Sequence, residues 1–99
     1  MAEIKVTPQQ LKDKAEILRG LNTKFRGEVQ KMVGYEMNLA SMWEGEAQKA
    51  FRTAFNTDKA KMDAFADNID KYVQALLDDA QRYETAEGAA TNIATQRNS

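Results

Sequence analysis

Two stretches of this chain each repeat an apolar residue every seven positions, and this regularity restricts the fold more than any other feature. The repeating residues are Leu11, Leu18, Phe25, Met32 and Leu39 in the first stretch and Phe55, Met62, Ile69, Leu76, Tyr83 and Ala90 in the second. Residues at this coiled-coil spacing lie on one face of an α-helix. Each stretch therefore predicts an amphipathic helix, and the short polar break between them predicts the turn of a helical hairpin.

The sequence also marks the start of the first helix. Thr7 can cap the helix with its hydroxyl, Pro8 suits the first helical position, and Gln10 completes a capping box. Because Pro8 is the only proline of the chain, we expect this helix to continue to about Met42.

The second helix is expected to begin near Glu46, where an acidic side chain favours the positive end of the helix, and to run to about Tyr83 or a little further. Beyond Tyr83 the sequence becomes small and polar, which predicts a tail with too little apolar surface to stay ordered. The expected organisation is an N-terminal extension at 1–6, a hairpin at 7–83 with its turn at 43–45, and a flexible tail at 84–99.

A single two-helix hairpin covers only one side of each apolar stripe. The 99 residues make one domain, so we expect an all-α hairpin that dimerises into an antiparallel four-helix bundle. The residues expected to form the shared core of hairpin and dimer are Leu11, Leu18, Phe25, Met32, Leu39, Phe55, Met62, Phe65, Ile69 and Leu76.

Composition excludes several classes of function. The chain has no cysteine and no histidine, which removes disulfides, thiolate nucleophiles, imidazole bases and the usual zinc sites. No carboxylate pair is framed as a catalytic site, so we expect no enzymatic activity, no cofactor and no small-molecule substrate. With 14 basic and 15 acidic residues, nothing favours nucleic acid or an anionic bilayer as partner, and membrane lysis is disfavoured too.

A Trp-x-Gly motif, Trp43-Glu44-Gly45, lies in the break between the two stripes. One interpretation is structural, since a large aromatic ring at the bend covers the end of the core and glycine takes backbone angles that other residues resist. The motif lies at the centre of about a hundred residues of amphipathic helix. In this respect the chain resembles the WXG-motif proteins of type VII secretion, the early-secreted-antigen-like family. The resemblance covers nearly the whole chain.

A second match to that family lies at Tyr83 and Glu87. In the family, a Tyr-x-x-x-Asp/Glu element just after the second helix is an export signal. Neither Tyr35 nor Tyr72 has an acidic residue four positions later, so only Tyr83 fits. The alternative is that Tyr83 merely continues the apolar stripe and that Glu87 begins a solvated tail.

The resemblance implies a substrate of a Gram-positive type VII secretion system, recognised by its membrane ATPase and exported as a folded dimer. The partner would be a second copy or a related WXG-motif protein. The N-terminus lacks a signal-peptide pattern, which by itself predicts a cytoplasmic protein. The resemblance instead implies secretion without a cleaved signal peptide, after a transient cytoplasmic stage. It also implies a role as virulence or co-secretion factor. A different hypothesis is a cytosolic helical adaptor or chaperone that uses the same apolar face to escort a larger toxin-like protein.

Two further patterns leave alternatives open. Gly20, Gly27 and Gly34 are spaced by seven, and they lie either on an exposed face or in a groove where a neighbouring helix approaches closely. Asp58 interrupts an apolar row of the second helix, where it either lies at the edge of the helix contact in water or sets the register of pairing. Lys31 lies at about the same height on the first helix, so an ion pair between them is one expectation.

Overall fold

Two antiparallel α-helices form the fold. The computed structural model describes residues 6–97, with side chains up to residue 87. Helix α1 spans Pro8–Ser41 and helix α2 spans Glu46–Arg97. The chain forms a rod of 81 × 21 × 20 Å. The predicted all-α helical hairpin is therefore confirmed. Within residues 6–97, neither helix carries a stretch apolar enough to cross a bilayer.

The start of α1 follows the predicted capping box. The backbone N–H of Gln10 donates to Thr7 Oγ1 at 3.1 Å, and the backbone N–H of Thr7 donates to Gln10 Oε1 at 2.9 Å. Pro8 takes the first helical position, where no N–H is needed. The helix ends at Ser41, one residue before the predicted end, and α2 begins at Glu46 as predicted.

The end of α2 differs from the prediction, because the helix continues past Tyr83 to Arg97. The segment that we expected to form a tail contains Ala86, Ala89, Ala90 and Ala94, and alanine has the highest intrinsic helix propensity. That propensity, together with continuation from an existing helix, outweighs the shortage of apolar surface. The expected extension at 1–5 and the last two residues lie outside the described part of the chain.

Alanine and valine residues, together with two polar side chains, fill the contact between the two helices. We call this row the seam: Ala15, Asn22, Val29 and Glu36 of α1 with Ala66, Val73 and Ala80 of α2, all buried. The ten large residues expected to form the core lie beside the seam, where they are half-buried or exposed within one hairpin. The heptad row that faces the other helix is thus three positions away from the row of large residues.

A polar network joins the helices near their middle. Asn22 Nδ2 donates to the Ala66 carbonyl at 2.9 Å and to Asp70 Oδ1 at 2.8 Å. The Arg26 guanidinium donates to Asp70 at 2.5 Å and to Asp67 at 3.2 Å. Hydrogen bonding to Arg26, and then to Asn22, lowers the pKa of Asp70 below its ordinary value. Bonds to both carboxylates raise the pKa of Arg26.

Two further ion pairs join the helices nearer their ends. Close to the turn, Arg52 Nε donates to Oε1 of the buried Glu36 at 2.9 Å. At the other end, Lys12 Nζ contacts the carboxylate of Glu84. The expected pair of Lys31 with Asp58 does not form, because Lys31 Nζ instead lies 3.1 Å from Glu28 on its own helix.

Candidate functional site: the turn and the apolar face

The turn that carries the Trp-x-Gly motif is held by backbone hydrogen bonds and by one side-chain hydrogen bond from α2. The N–H of Trp43 donates to the Ala40 carbonyl at 3.3 Å, and Gln48 Nε2 donates to the same carbonyl at 3.2 Å. The Gly45 carbonyl accepts from Lys49 at 3.2 Å and so begins α2. Gly45 has a φ of +106°, which L side chains rarely adopt. The sharp change of direction therefore requires glycine at this position.

Trp43 packs against the start of α2. Its ring centroid lies 5.6 Å from that of Phe51, with the two planes tilted by 46°. The indole is half-buried, whereas the adjacent Met42 is exposed. Trp43 thus covers the end of the hairpin, as its structural interpretation requires, and still presents part of its ring to solvent.

The second motif lies on the continued part of α2. Because the helix persists, Tyr83 and Glu87 are four residues apart on one helical face. The Tyr83 side chain is 45% exposed, and Glu87 is exposed. Both side chains are accessible to a partner.

The two motifs are not brought together within one chain. Glu46 starts α2 beside the turn, and the helix rises about 56 Å between Glu46 and Tyr83 at 1.5 Å per residue. Trp43 and Tyr83 therefore lie near opposite ends of the hairpin.

One side of the hairpin carries most of the large apolar side chains, and we call it the apolar face. Its members are Leu11, Leu18, Leu21, Phe25, Met32, Tyr35 and Leu39 of α1 and Phe51, Phe55, Met62, Phe65, Ile69, Tyr72 and Leu76 of α2. Near its middle, the rings of Phe25 and Phe65 meet edge to face at 5.5 Å, although Phe65 is still 54% exposed.

Shallow grooves cross this face, and two of them are lined almost entirely by apolar atoms. The groove nearer the turn is lined by Met32, Tyr35, Glu36, Leu39, Phe51 and Phe55. The central groove is lined by Leu18, Leu21, Asn22, Phe25, Phe65 and Ile69. The face is suited to binding another apolar protein surface. In the described part of the chain, no three acidic residues are grouped so as to hold a metal ion.

Sequence reasoning missed the polar residues that fix the turn and the seam. Asn22 and Glu36 recur at intervals of seven with Pro8, Ala15 and Val29. This heptad row, which contains no large apolar residue, is the signal that would have revealed the seam. No local pattern identifies Gln48 as the group that caps the end of α1.

Solved structures with this hairpin include the secreted protein EsxB from Bacillus anthracis strain Sterne. Its selenomethionine-labelled crystal structure is 24% identical in sequence, with a TM-score of 0.76, and the match covers 88% of this chain and 99% of that one. The wild-type crystal structure in space group P21 is 25% identical, with a TM-score of 0.75 and coverage of 84% and 89%. None of the curated proteins compared with this chain matches it by sequence.

The family model described as "Proteins of 100 residues with WXG" matches residues 3–88. The match includes both helices up to the second motif, and the turn with Trp43 and Gly45 lies near its centre. Proteins of this family typically form dimers, with themselves or with related members. The chain belongs to the WXG100 family.

Proposed function

We propose that this protein is a substrate of a Gram-positive type VII secretion system and is exported as a folded helical dimer. The observation that carries the proposal is the Trp43-Glu44-Gly45 turn with its positive-φ glycine, at the centre of a hairpin that the WXG100 model matches over residues 3–88. The structural similarity to EsxB, a secreted protein, supports it. Export follows a transient cytoplasmic stage and uses no cleaved signal peptide, and the exported dimer serves as a virulence or co-secretion factor.

The recognition signal is, in this proposal, composite. One copy supplies Trp43 and Gly45, and the other supplies Tyr83 and Glu87. The two motifs of one hairpin are too far apart for a single binding site, and antiparallel association removes that separation. The membrane ATPase of the secretion system would then bind only the dimer, which couples export to assembly.

The test separates recognition from folding. Glu87→Ala removes an exposed carboxylate, so its unfolding free energy should change by no more than about 0.5 kcal/mol. Its secretion should nevertheless fall. Asp78→Ala is the matched control, since Asp78 is also an exposed acidic residue of α2 and accepts a hydrogen bond from Gln74 on the same helix. The assay compares protein in the medium and in the cells, alongside thermal melts by circular dichroism.

Each outcome bears on a different part of the proposal. Normal secretion of Glu87→Ala contradicts the acidic half of the signal, whereas equal loss in Asp78→Ala contradicts recognition at Glu87. Secretion that persists in a host without the membrane ATPase contradicts the type VII route altogether. Trp43→Ala should reduce both export and stability, because it also exposes the Phe51 ring.

A second function is favoured by the uncovered apolar face. A cytosolic adaptor would use that face to hold the helical segment of a larger toxin-like protein. The purified chain would then remain a monomer that gains helicity only when that segment is added. A stable helical dimer of the chain alone contradicts this alternative.

A further inference from the structure

We propose that Gln48 is a positioning residue of the Trp-x-Gly motif, and that it fixes the Trp43 indole in the orientation that the secretion machinery recognises. The inference rests on the proposed function, in which Trp43 belongs to the recognition signal. It adds the residue that holds this side chain in place. Gln48 acts on Trp43 indirectly, through the last turn of α1.

Gln48 is a polar residue at the turn end of an apolar row. It precedes Phe55 by seven residues, and the row continues with Phe55, Met62, Ile69 and Leu76. The Gln48 side chain is half-buried there, although an apolar side chain would contribute more burial to the end of the hairpin. A polar side chain in such a place needs a hydrogen-bonding partner.

The partner is the carbonyl of Ala40 in the last turn of α1. Gln48 Nε2 donates to this oxygen at 3.2 Å, and the backbone N–H of Trp43 donates to it at 3.3 Å. The two donors occupy both lone pairs of the oxygen. Because Ala40 is only 6% exposed, water has little access to replace either donor. One carbonyl therefore ties the backbone of Trp43 to the first turn of α2.

The hydrogen bond of Gln48 joins two groups that belong to different helices. The backbone of Trp43 is bonded to α1, whereas the ring against which the indole packs, that of Phe51, belongs to α2. In the part of the chain that the structure describes, the next hydrogen bond between the helices is that of Arg52 to Glu36, about one helical turn further from the bend. Without the bond of Gln48, the two ends of the bend can separate, and the indole then loses its fixed contact with Phe51.

The strength of one hydrogen bond sets the size of the effect. The net contribution of a typical intramolecular hydrogen bond corresponds to a factor of roughly 2 to 12 in an equilibrium constant. Removal of the Gln48 donor should raise the population of an opened turn by about this factor, while the seam keeps the rest of the hairpin folded. Local opening of this kind is measured by hydrogen exchange, whereas a global melt does not detect it.

Two variants remove the hydrogen bond without weakening α2. Gln48→Glu keeps the shape of the side chain, but a carboxylate oxygen cannot donate to the Ala40 carbonyl. An acidic residue in the first turn also favours the positive end of the helix. Gln48→Ala is the second variant, because alanine has high helix propensity and no side-chain donor. Gln74→Glu is the matched control, since Gln74 is exposed on α2 and donates to Asp78 on the same helix.

Nuclear magnetic resonance of the purified full chain detects the position of Trp43 directly. The chain has a single tryptophan, so isotope-labelled tryptophan gives one backbone N–H signal and one indole N–H signal. In both Gln48 variants, the Trp43 backbone N–H should exchange with solvent about 2- to 12-fold faster than in the wild type. The indole signal should shift towards its position in Phe51→Leu, which lacks the aromatic ring next to the indole. Gln74→Glu should leave both signals unchanged.

The secretion assay on the same variants connects the position of Trp43 to recognition. Export of Gln48→Glu should fall, while its circular dichroism spectrum stays that of the wild type. Unchanged tryptophan signals in both Gln48 variants would overturn the inference, and so would equal changes in Gln74→Glu. Altered signals with normal export would also overturn it if Trp43→Ala is retained in the cells. Normal export of Trp43→Ala counts instead against the proposed function, and the tryptophan signals then still decide whether Gln48 holds the ring.

Discussion

Replacing Gly20, Gly27 and Gly34 together by alanine should stabilise the protein. A Cβ atom built on any of the three meets nothing within 4 Å, so an added methyl group has no steric cost in the hairpin. All three glycines lie within α1, where glycine costs conformational entropy relative to alanine. Within the hairpin, the three glycines therefore lie on an exposed face, and neither helix of the same chain packs against them.

The expected gain follows from helix propensity. At about 0.5–1 kcal/mol for each position, the triple variant should gain roughly 1.5–3 kcal/mol in unfolding free energy. For a domain of this size, 1 kcal/mol shifts the melting temperature by about 4–8 °C, so an increase of at least about 6 °C is expected. Melts are compared at one protein concentration, because the stability of a dimer depends on concentration.

Gly45→Ala is the control within the same chain, because the same substitution should have the opposite sign there. Space is open around Gly45 as well, but its φ of +106° imposes strain on any L side chain. We expect a loss of about 1–2 kcal/mol. A lower melting temperature for the triple variant would refute the reasoning and would mean that another helix packs against this face.

Two further predictions concern charges between the helices. Arg52→Leu should lower the unfolding free energy by about 2 kcal/mol, because it leaves the buried Glu36 carboxylate without its partner. Glu36→Gln should lower it by less than about 1 kcal/mol, because the amide oxygen still accepts the hydrogen bond from Arg52. Urea melts compare the two variants. The hydrogen bond from Arg26 is the main cause of the lowered pKa of Asp70. The ionised carboxylate therefore stabilises the fold at pH values above its ordinary pKa of 3.8, and this contribution is lost as the pH falls below it. Asp70→Asn should therefore flatten the fall in melting temperature below about pH 4, and an equal flattening in Asp58→Asn would contradict the assignment.

Local sequence signals were sufficient for the elements of the fold. The capping box at Thr7 and Gln10 fixed the start of α1 because it depends only on residues within one turn of helix. The turn was predictable for a similar reason, since Gly45 and the interrupted heptads mark it without reference to distant residues. The end of α2 was not, because alanine propensity competes there with the lack of burial.

Hydrophobicity alone did not predict which face of each helix meets the other helix. The largest apolar residues fall in one heptad row, but the helices meet along another, which includes Asn22 and Glu36. Those two residues are compatible with burial only because Ala66, Asp70 and Arg52 supply hydrogen-bonding partners from the other helix. Such partners lie 16 or more positions away in sequence, so they become visible only in the folded hairpin.

Because the helices meet along the seam, the large apolar residues beside it remain free for a partner. A larger side chain placed in the seam tests this arrangement. Ala66 is 1% exposed and accepts the hydrogen bond of Asn22, so Ala66→Leu must push the helices apart. We expect a loss of about 1–3 kcal/mol in unfolding free energy from overpacking. Ala64→Leu is the matched control, because Ala64 is exposed on the same helix and its change should be nearly neutral. Equal melting temperatures for the two variants would show that the helices do not meet along Ala66. The large residues would then belong to the interior of one hairpin rather than to an interface.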